Sequence, residues 1–243
     1  MLTAGRHAQA GGIGLYEIAT PDLGLASAGY AARADDASTL FKNPAGMSNL
    51  KGAQFQGGLQ ALYGSVTFSP DSKSSAGLGN EDGGNAIGWL PAGGLFIVAP
   101  LGEKWRVGFG TLSYFGLAQE YADDWVGRYY VQKSALIGMT LMPSVSFQAT
   151  DWLAIGAGLN AMYGYLNTEV AVNNGIGADG QMKLQDGMWA FGANVGVLVR
   201  AGEKTRFGVT YLSAVELEFR DAPTFKGLGP VLGPVLANPP RSG

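Results

Sequence analysis

From Leu136 to Leu166 apolar side chains recur at every second position, in two runs joined by a turn at Ala149-Thr150-Asp151. In the first run Ile137, Met139, Leu141, Val145 and Phe147 share one parity, and Gly138, Thr140, Ser144, Ser146 and Gln148 share the other. In the second, Leu153, Ile155, Leu159, Tyr163 and Tyr165 oppose Ala154, Gly156, Gly158, Asn160 and Gly164. A period of two is that of a β-strand, and the short connection makes the pair a hairpin. Both runs exceed the usual strand of about 5–6 residues. Trp152 lies at one end of the apolar face and Tyr163 with Tyr165 at the other. Such a strand is long enough to cross a bilayer at a tilt, with aromatic rings at the interfaces and small or polar residues inside.

The rhythm recurs along the chain. A first strand is expected over about 52–68, a second over 93–99, and a third from Trp105 through Leu112. The hairpin above supplies strands four and five. Strand six carries Trp189, Phe191, Val195, Val197 and Val199, and strand seven Phe207, Val209, Tyr211, Val215 and Leu217, with Glu216 and Glu218 on a wet parity. Polar, Gly-rich loops over 69–88, 119–132 and 167–185 alternate with tight turns at 100–104, 149–151 and 201–204. Long loops at one end and short turns at the other are expected of an outer-membrane barrel more than of a soluble sandwich.

Only 14 % of residues are charged, low against about 25 % in ordinary globular chains. No apolar run approaches the roughly 18 residues of a membrane helix, so a closed barrel is the spanning structure left. A net charge of −3 with scattered Lys and Arg gives no field for nucleic acid. There is no Cys and one His, His7, which excludes thiolate catalysis and leaves a Ser-His enzyme without a base in the body of the chain. The chain reads as no enzyme. Gly156-Ala157-Gly158 loosely matches a dinucleotide fingerprint, but strand alternation runs straight through it. Asp35-Asp36 and Asp123-Asp124 are hard-cation donors lacking further ligands at useful spacing. Neither a cofactor nor a metal is expected.

Ala8-Gln9-Ala10 has the form of a signal-peptidase site without the apolar stretch that should precede it, so residues 1–10 read as the end of a signal peptide. Residues 11–50 lack the strand period. They are rich in small and turn-forming residues, from Gly24 through Gly29 and at Asn43-Pro44-Ala45-Gly46, as suits a compact segment in a confined space.

Glu17, the small-residue run Gly24 to Gly29, Asp35-Asp36-Ala37 and Asn43-Pro44-Ala45-Gly46, followed directly by long alternating strands, resemble the N-terminal part of the FadL/TodX-type outer-membrane transporters. Trp125-Val126-Gly127-Arg128-Tyr129-Tyr130, Met142-Pro143-Ser144 and Asp151-Trp152-Leu153 extend the likeness over nearly the whole chain. The resemblance implies an all-β fold, a transmembrane antiparallel β-barrel of fourteen strands in the outer membrane of a Gram-negative bacterium. Residues 11–50 would form its plug, residues 51–220 the first seven strands, and residues 221–243 a loop at which the chain is cut short. The plug would rest on Gly24, Gly29, Asp35, Asp36, Asn43, Pro44 and Ala45. The implied function is passive uptake of hydrophobic compounds such as long-chain fatty acids or aromatic hydrocarbons, by a monomer in contact with outer-membrane lipid. An adhesive barrel without transport is the alternative.

Apolar residues interrupt the otherwise small or polar inward parity at Leu112, Tyr114, Met142, Met162, Leu198 and Leu212. A conduit for greasy molecules needs such patches, so these are candidate substrate contacts, with plug contact as their other reading. Arg128, and with it Lys133 and Arg106, could meet a carboxylate headgroup through charge-assisted hydrogen bonds.

Overall fold

The computed structural model describes residues 20–70, 78 and 81–236. The expected signal-peptide end, and Glu17 with it, lie outside these. Seven strands form one antiparallel sheet in sequence order: β1 (Gln54–Gly64), β2 (Gly88–Leu101), β3 (Trp105–Glu120), β4 (Lys133–Gln148), β5 (Leu153–Val172), β6 (Gly180–Arg200) and β7 (Arg206–Leu212). A short β8 (Thr224–Lys226) pairs with the far end of β6. Tight connections over 102–104, 149–152 and 201–205 lie at one end, and those over 65–87, 121–132 and 173–179 at the other.

The two faces of this sheet are inverted relative to a soluble protein. Along β4, Ile137, Met139, Leu141 and Val145 are exposed, whereas Thr140, Met142, Ser144 and Ser146 are buried. Small and polar residues thus look inward, and the apolar parity faces outward, where only lipid tails make its exposure favourable. Exposed rings mark both rims. Trp105 packs on Phe147 at 4.6 Å near the short turns, while Tyr63–Trp89 and Tyr163–Trp189 pair across strands at 5.1 and 5.4 Å toward the other rim. Leu159, between Trp152 and Tyr163, is 63 % exposed. Replacing it with Arg is expected to cost about 2–4 kcal/mol of folding free energy in a bilayer, against about 0–1 kcal/mol for a charge at the Trp152 rim. Denaturant titration in liposomes measures the difference.

Several strands depart from their sequence expectation. β2 begins at Gly88 and β3 reaches Glu120, both longer than the alternation suggests. The expected loop over 167–185 is mostly strand: β5 and β6 stay paired up to Val172–Gly180, with Glu169 bonded to Lys183 at 3.1 Å. Above the aromatic rim no lipid demands an apolar face, so the ladder continues without the hydrophobic period. Strand seven is shorter than expected. β7 ends at Leu212, and residues 213–217 cross the inner face, where Val215 covers Gly192 and Leu217 covers Gly164.

Residues 20–50 are irregular, as their small-residue content predicts. They hold a 3-10 turn at Leu23–Leu25, the short helix α1 (Thr39–Lys42) and a 3-10 helix at Pro44–Asn49. This segment packs on the concave face of β3 to β6. Leu40, Phe41, Met47 and Leu50 meet Phe96, Val98, Leu112 and Met142 in the main apolar cluster. A second helix, α2 (Gly233–Leu236), follows β8.

Candidate functional site

The N-terminal segment is fixed to the wall at Asn43. Its Oδ1 accepts from Ala45 N at 3.0 Å, and its Nδ2 donates to Ala31 O at 2.7 Å and to Val197 O of β6 at 3.0 Å. Pro44 occupies the first helical position, where a missing N–H costs nothing. The turn lies so close to the sheet that a β-carbon on Gly156 would overlap Ala45 N, and one on Gly196 would overlap Asn43 Oδ1. Those inward glycines leave the space the turn fills. Nearby, Leu198 packs with Ala34, Ala45 and Ala154.

Several other polar residues of the segment are paired. Asp35 bridges Arg33 at 3.2 Å and Arg206 of β7 at 3.0 Å, while Asp36 accepts from Ser38 N at 2.9 Å. Asp22 and Lys42 form a buried ion pair, with Thr20 donating to Asp22 at 2.6 Å. Gly29 takes a left-handed φ of 77° in a turn, and Gly24 stands in open space.

The apolar candidates separate into two groups. Leu112, Met142 and Leu198 are buried beneath the N-terminal segment. Tyr114, Met162 and Leu212 instead surround a cavity of about 320 Å³ on the inner side, roofed by Ser213 to Val215 and Leu217. Thr140 and Asn160 lie at its base.

Beside this cavity the wall opens. β2 and β3 pair only from Leu101↔Trp105 to Gly94↔Leu112, although β2 extends back to Gly88 and β3 on to Glu120. Pro91 supplies no N–H to a ladder, and Tyr114 is an extra residue between Ser113↔Met139 and Phe115↔Gly138. The gap holds a cavity of about 240 Å³ between Leu90–Ala92 and Ser113, Phe115 and Gly116. Outside it, a groove of about 750 Å³ runs along Leu59, Leu95 and Met139. Phe115 lines both the inner cavity and the gap, and Met139 both the gap and the outer groove. Elsewhere in the wall, Gly108 and Gly110 of β3 are paired on both sides, whereas the β4–β5 ladder omits Met142 and Pro143. The larger separation at Pro91 and Tyr114 went unforeseen; the clue was a proline within an otherwise apolar strand.

The cationic candidates lie elsewhere. Arg128, in the 121–132 connection, binds Asp179 at 2.8 Å, Leu78 O at 2.8 Å and the Tyr129 hydroxyl at 3.0 Å. Lys133 pairs with Glu120 at 3.0 Å, and Arg106 donates to Trp105 O and Glu103 O at the short-turn rim. Arg128 therefore clasps its own connection to those holding Leu78 and Asp179, beside Trp125 stacked on Tyr121 at 3.9 Å. Burial pushes the Asp179 carboxyl up, but hydrogen bonds from Arg128 and Tyr129 outweigh it and hold the group below the usual carboxylate range. A depressed value in the folded state means the clasp is complete above about pH 4 and lost as pH falls through that lowered value. Asp179→Asn should mimic acidification at neutral pH, with faster chymotrypsin cleavage at Tyr129–Tyr130 as the readout. Among the described residues no acidic or histidine cluster is arranged to hold a metal.

Two solved structures share this fold: a Pseudomonas aeruginosa FadL homologue (TM-score 0.68, 19 % identity, 84 % of this chain and 53 % of that one) and the Ralstonia pickettii toluene transporter TbuX (TM-score 0.57, 20 % identity, 77 % and 55 %). In sequence the chain is 33 % identical to outer membrane protein P1 of Haemophilus influenzae, over 91 % of its own length and 57 % of the relative's. It is 26 % identical to the long-chain fatty acid transport protein of Escherichia coli, over 88 % and 54 %. The chain thus spans about half the length of the curated relatives it matches. With the model of outer membrane protein transport proteins (OMPP1/FadL/TodX) matching residues 1–233, the chain belongs to that family, and it is a protein of the Gram-negative outer membrane.

Proposed function

We propose that this protein carries hydrophobic compounds, of the class of long-chain fatty acids or aromatic hydrocarbons, passively across the outer membrane. The reading rests chiefly on one observation: an apolar inner cavity lies against a place where β2 and β3 part, and an apolar groove follows on the lipid side. A greasy molecule gains from leaving water at each stage. It would enter the cavity at Tyr114, Met162 and Leu212, pass Phe115 into the gap, and leave sideways into the bilayer. Such a route needs no cofactor and no energy input.

In this reading residues 20–50 are the plug, held by Asn43 and blocking the water-filled path while the lateral one stays open. The relatives' names support the substrate class: a long-chain fatty acid transport protein and a toluene transporter. Uptake of labelled oleate and labelled toluene by cells with and without the gene tests it. Met162→Asp, which puts a charge in the cavity, should bring uptake down to the gene-less level at unchanged barrel abundance. Equal uptake with and without the gene would leave an adhesive barrel as the better reading.

A further inference from the structure

The inner cavity is mostly apolar; Ser213 in its roof is engaged with Ala193 N and Ala214 O, and at its base Thr140 and Asn160 are buried at 0 % and 3 % exposure. Neither the Thr140 hydroxyl nor either atom of the Asn160 amide finds a hydrogen-bond partner among the described residues. A buried, unpaired polar group costs free energy, so native structures rarely leave three such atoms together without something to satisfy them. On β4 and β5, Thr140 faces Met162 directly, and Asn160, two residues along from Met162, is the diagonal neighbour of Thr140 on the same face. Together they offer an N–H donor, a carbonyl acceptor and a hydroxyl at the floor of an apolar pocket. Among the described residues lining it, none is charged.

We propose that this pocket selects hydrophobic molecules carrying one neutral hydrogen-bonding group, such as the hydroxyl of a long-chain alcohol. A hydroxyl both donates and accepts, matching the Asn160 carbonyl and amide, with the Thr140 hydroxyl as further partner. An ionised carboxylate accepts only and finds no cation here, while a plain alkane leaves all three polar atoms unpaired. The inference rests on the transport reading above and ranks substrates within it: a fatty acid fits best in its protonated form, whose neutral carboxyl also donates and accepts, and a bare hydrocarbon passes more slowly.

The test compares uptake of labelled 1-decanol, decane and, above pH 8, decanoate by cells making the protein, each corrected for cells without it. The wild type should favour decanol over decane by about tenfold, the scale set by leaving buried polar groups unpaired. Decanoate should enter more slowly than decanol. Asn160→Leu, which removes two of the three polar atoms a hydroxyl would pair, should bring the decanol-to-decane ratio near one, and Thr140→Val, nearly the same shape without the hydroxyl, should lower it in the same direction. A ratio unchanged in both variants at normal barrel abundance, a wild-type ratio of one, or faster decanoate entry overturns the proposal while leaving transport intact. Should Asn160→Leu fail to assemble, Thr140→Val alone decides. No uptake of any probe by the wild type removes the transport reading itself.

Discussion

Gly156→Val is expected to unseat the N-terminal segment while leaving the barrel wall assembled. A β-carbon at that position overlaps main-chain atoms of Pro44 and Ala45, and a backbone in a tight turn cannot rotate aside as a side chain can. Displacing the turn also strips Asn43 Nδ2 of its bond to Val197 O. Overpacking and one lost buried hydrogen bond together amount to on the order of 3 kcal/mol. That is enough to shift a docked segment from almost always seated to mostly released. Residues 34–50 should become accessible to added protease, and outer-membrane permeability to nitrocefin should rise. Heat-modifiable mobility on gels should remain that of a folded barrel. A variant as tight and protease-resistant as the wild type would mean that this segment does not block the lumen.

The second large effect is expected at the parting of β2 and β3. Because the chain has no native cysteine, Ala92→Cys and Ser113→Cys can be bridged by a reducible bis-methanethiosulfonate linker without side reactions. Both residues line the gap cavity. Bridging them should reduce uptake of a hydrophobic substrate to that of cells without the protein, and dithiothreitol should restore it. Full uptake through a bridged gap would show that substrate leaves by another way. Pro91→Val is a gentler companion. It returns an N–H to β2, but the extra residue at Tyr114 still throws β3 out of register, so only partial narrowing and slowing are expected.

The wall was legible in the sequence wherever lipid enforces a rule. Ile137 to Phe147 and Leu153 to Tyr165 alternate because every outward position must be apolar, and the same demand places Trp105, Trp152, Tyr163 and Trp189 at the rims. Beyond the lipid that demand ends. Asn167 to Val172 and Gly180 to Gln185 are strand in a polar composition that reads as loop, their pairing fixed by cross-strand partners such as Glu169 and Lys183. The inner face was partly legible. Tyr114, Met162 and Leu212 stand out as apolar residues on a polar parity, and they do converge; Leu112, Met142 and Leu198 share that signature but lie under residues 34–50. Periodicity records that an inward residue is apolar, not which neighbour covers it. Thr140 and Asn160 fit the inward polar pattern without standing out, so only their missing partners distinguish them. The role of Arg128 depended on Asp179, fifty-one positions away and brought near by the rise of β5 and β6.

One property of the sheet bears on what can complete its circumference. β1 and β7, the two open margins, run in the same direction, since each of the six successive junctions reverses the chain. A duplicate of this sheet upright in the same membrane would therefore meet it along two parallel seams, unlike any junction it now contains. Polypeptide that seals both margins in the existing manner must cross the bilayer an odd number of times. Self-association in the bilayer is thus a poor route to a ring for this arc, and complementation by an odd set of spans whose first and last run opposite to β1 and β7 a natural one.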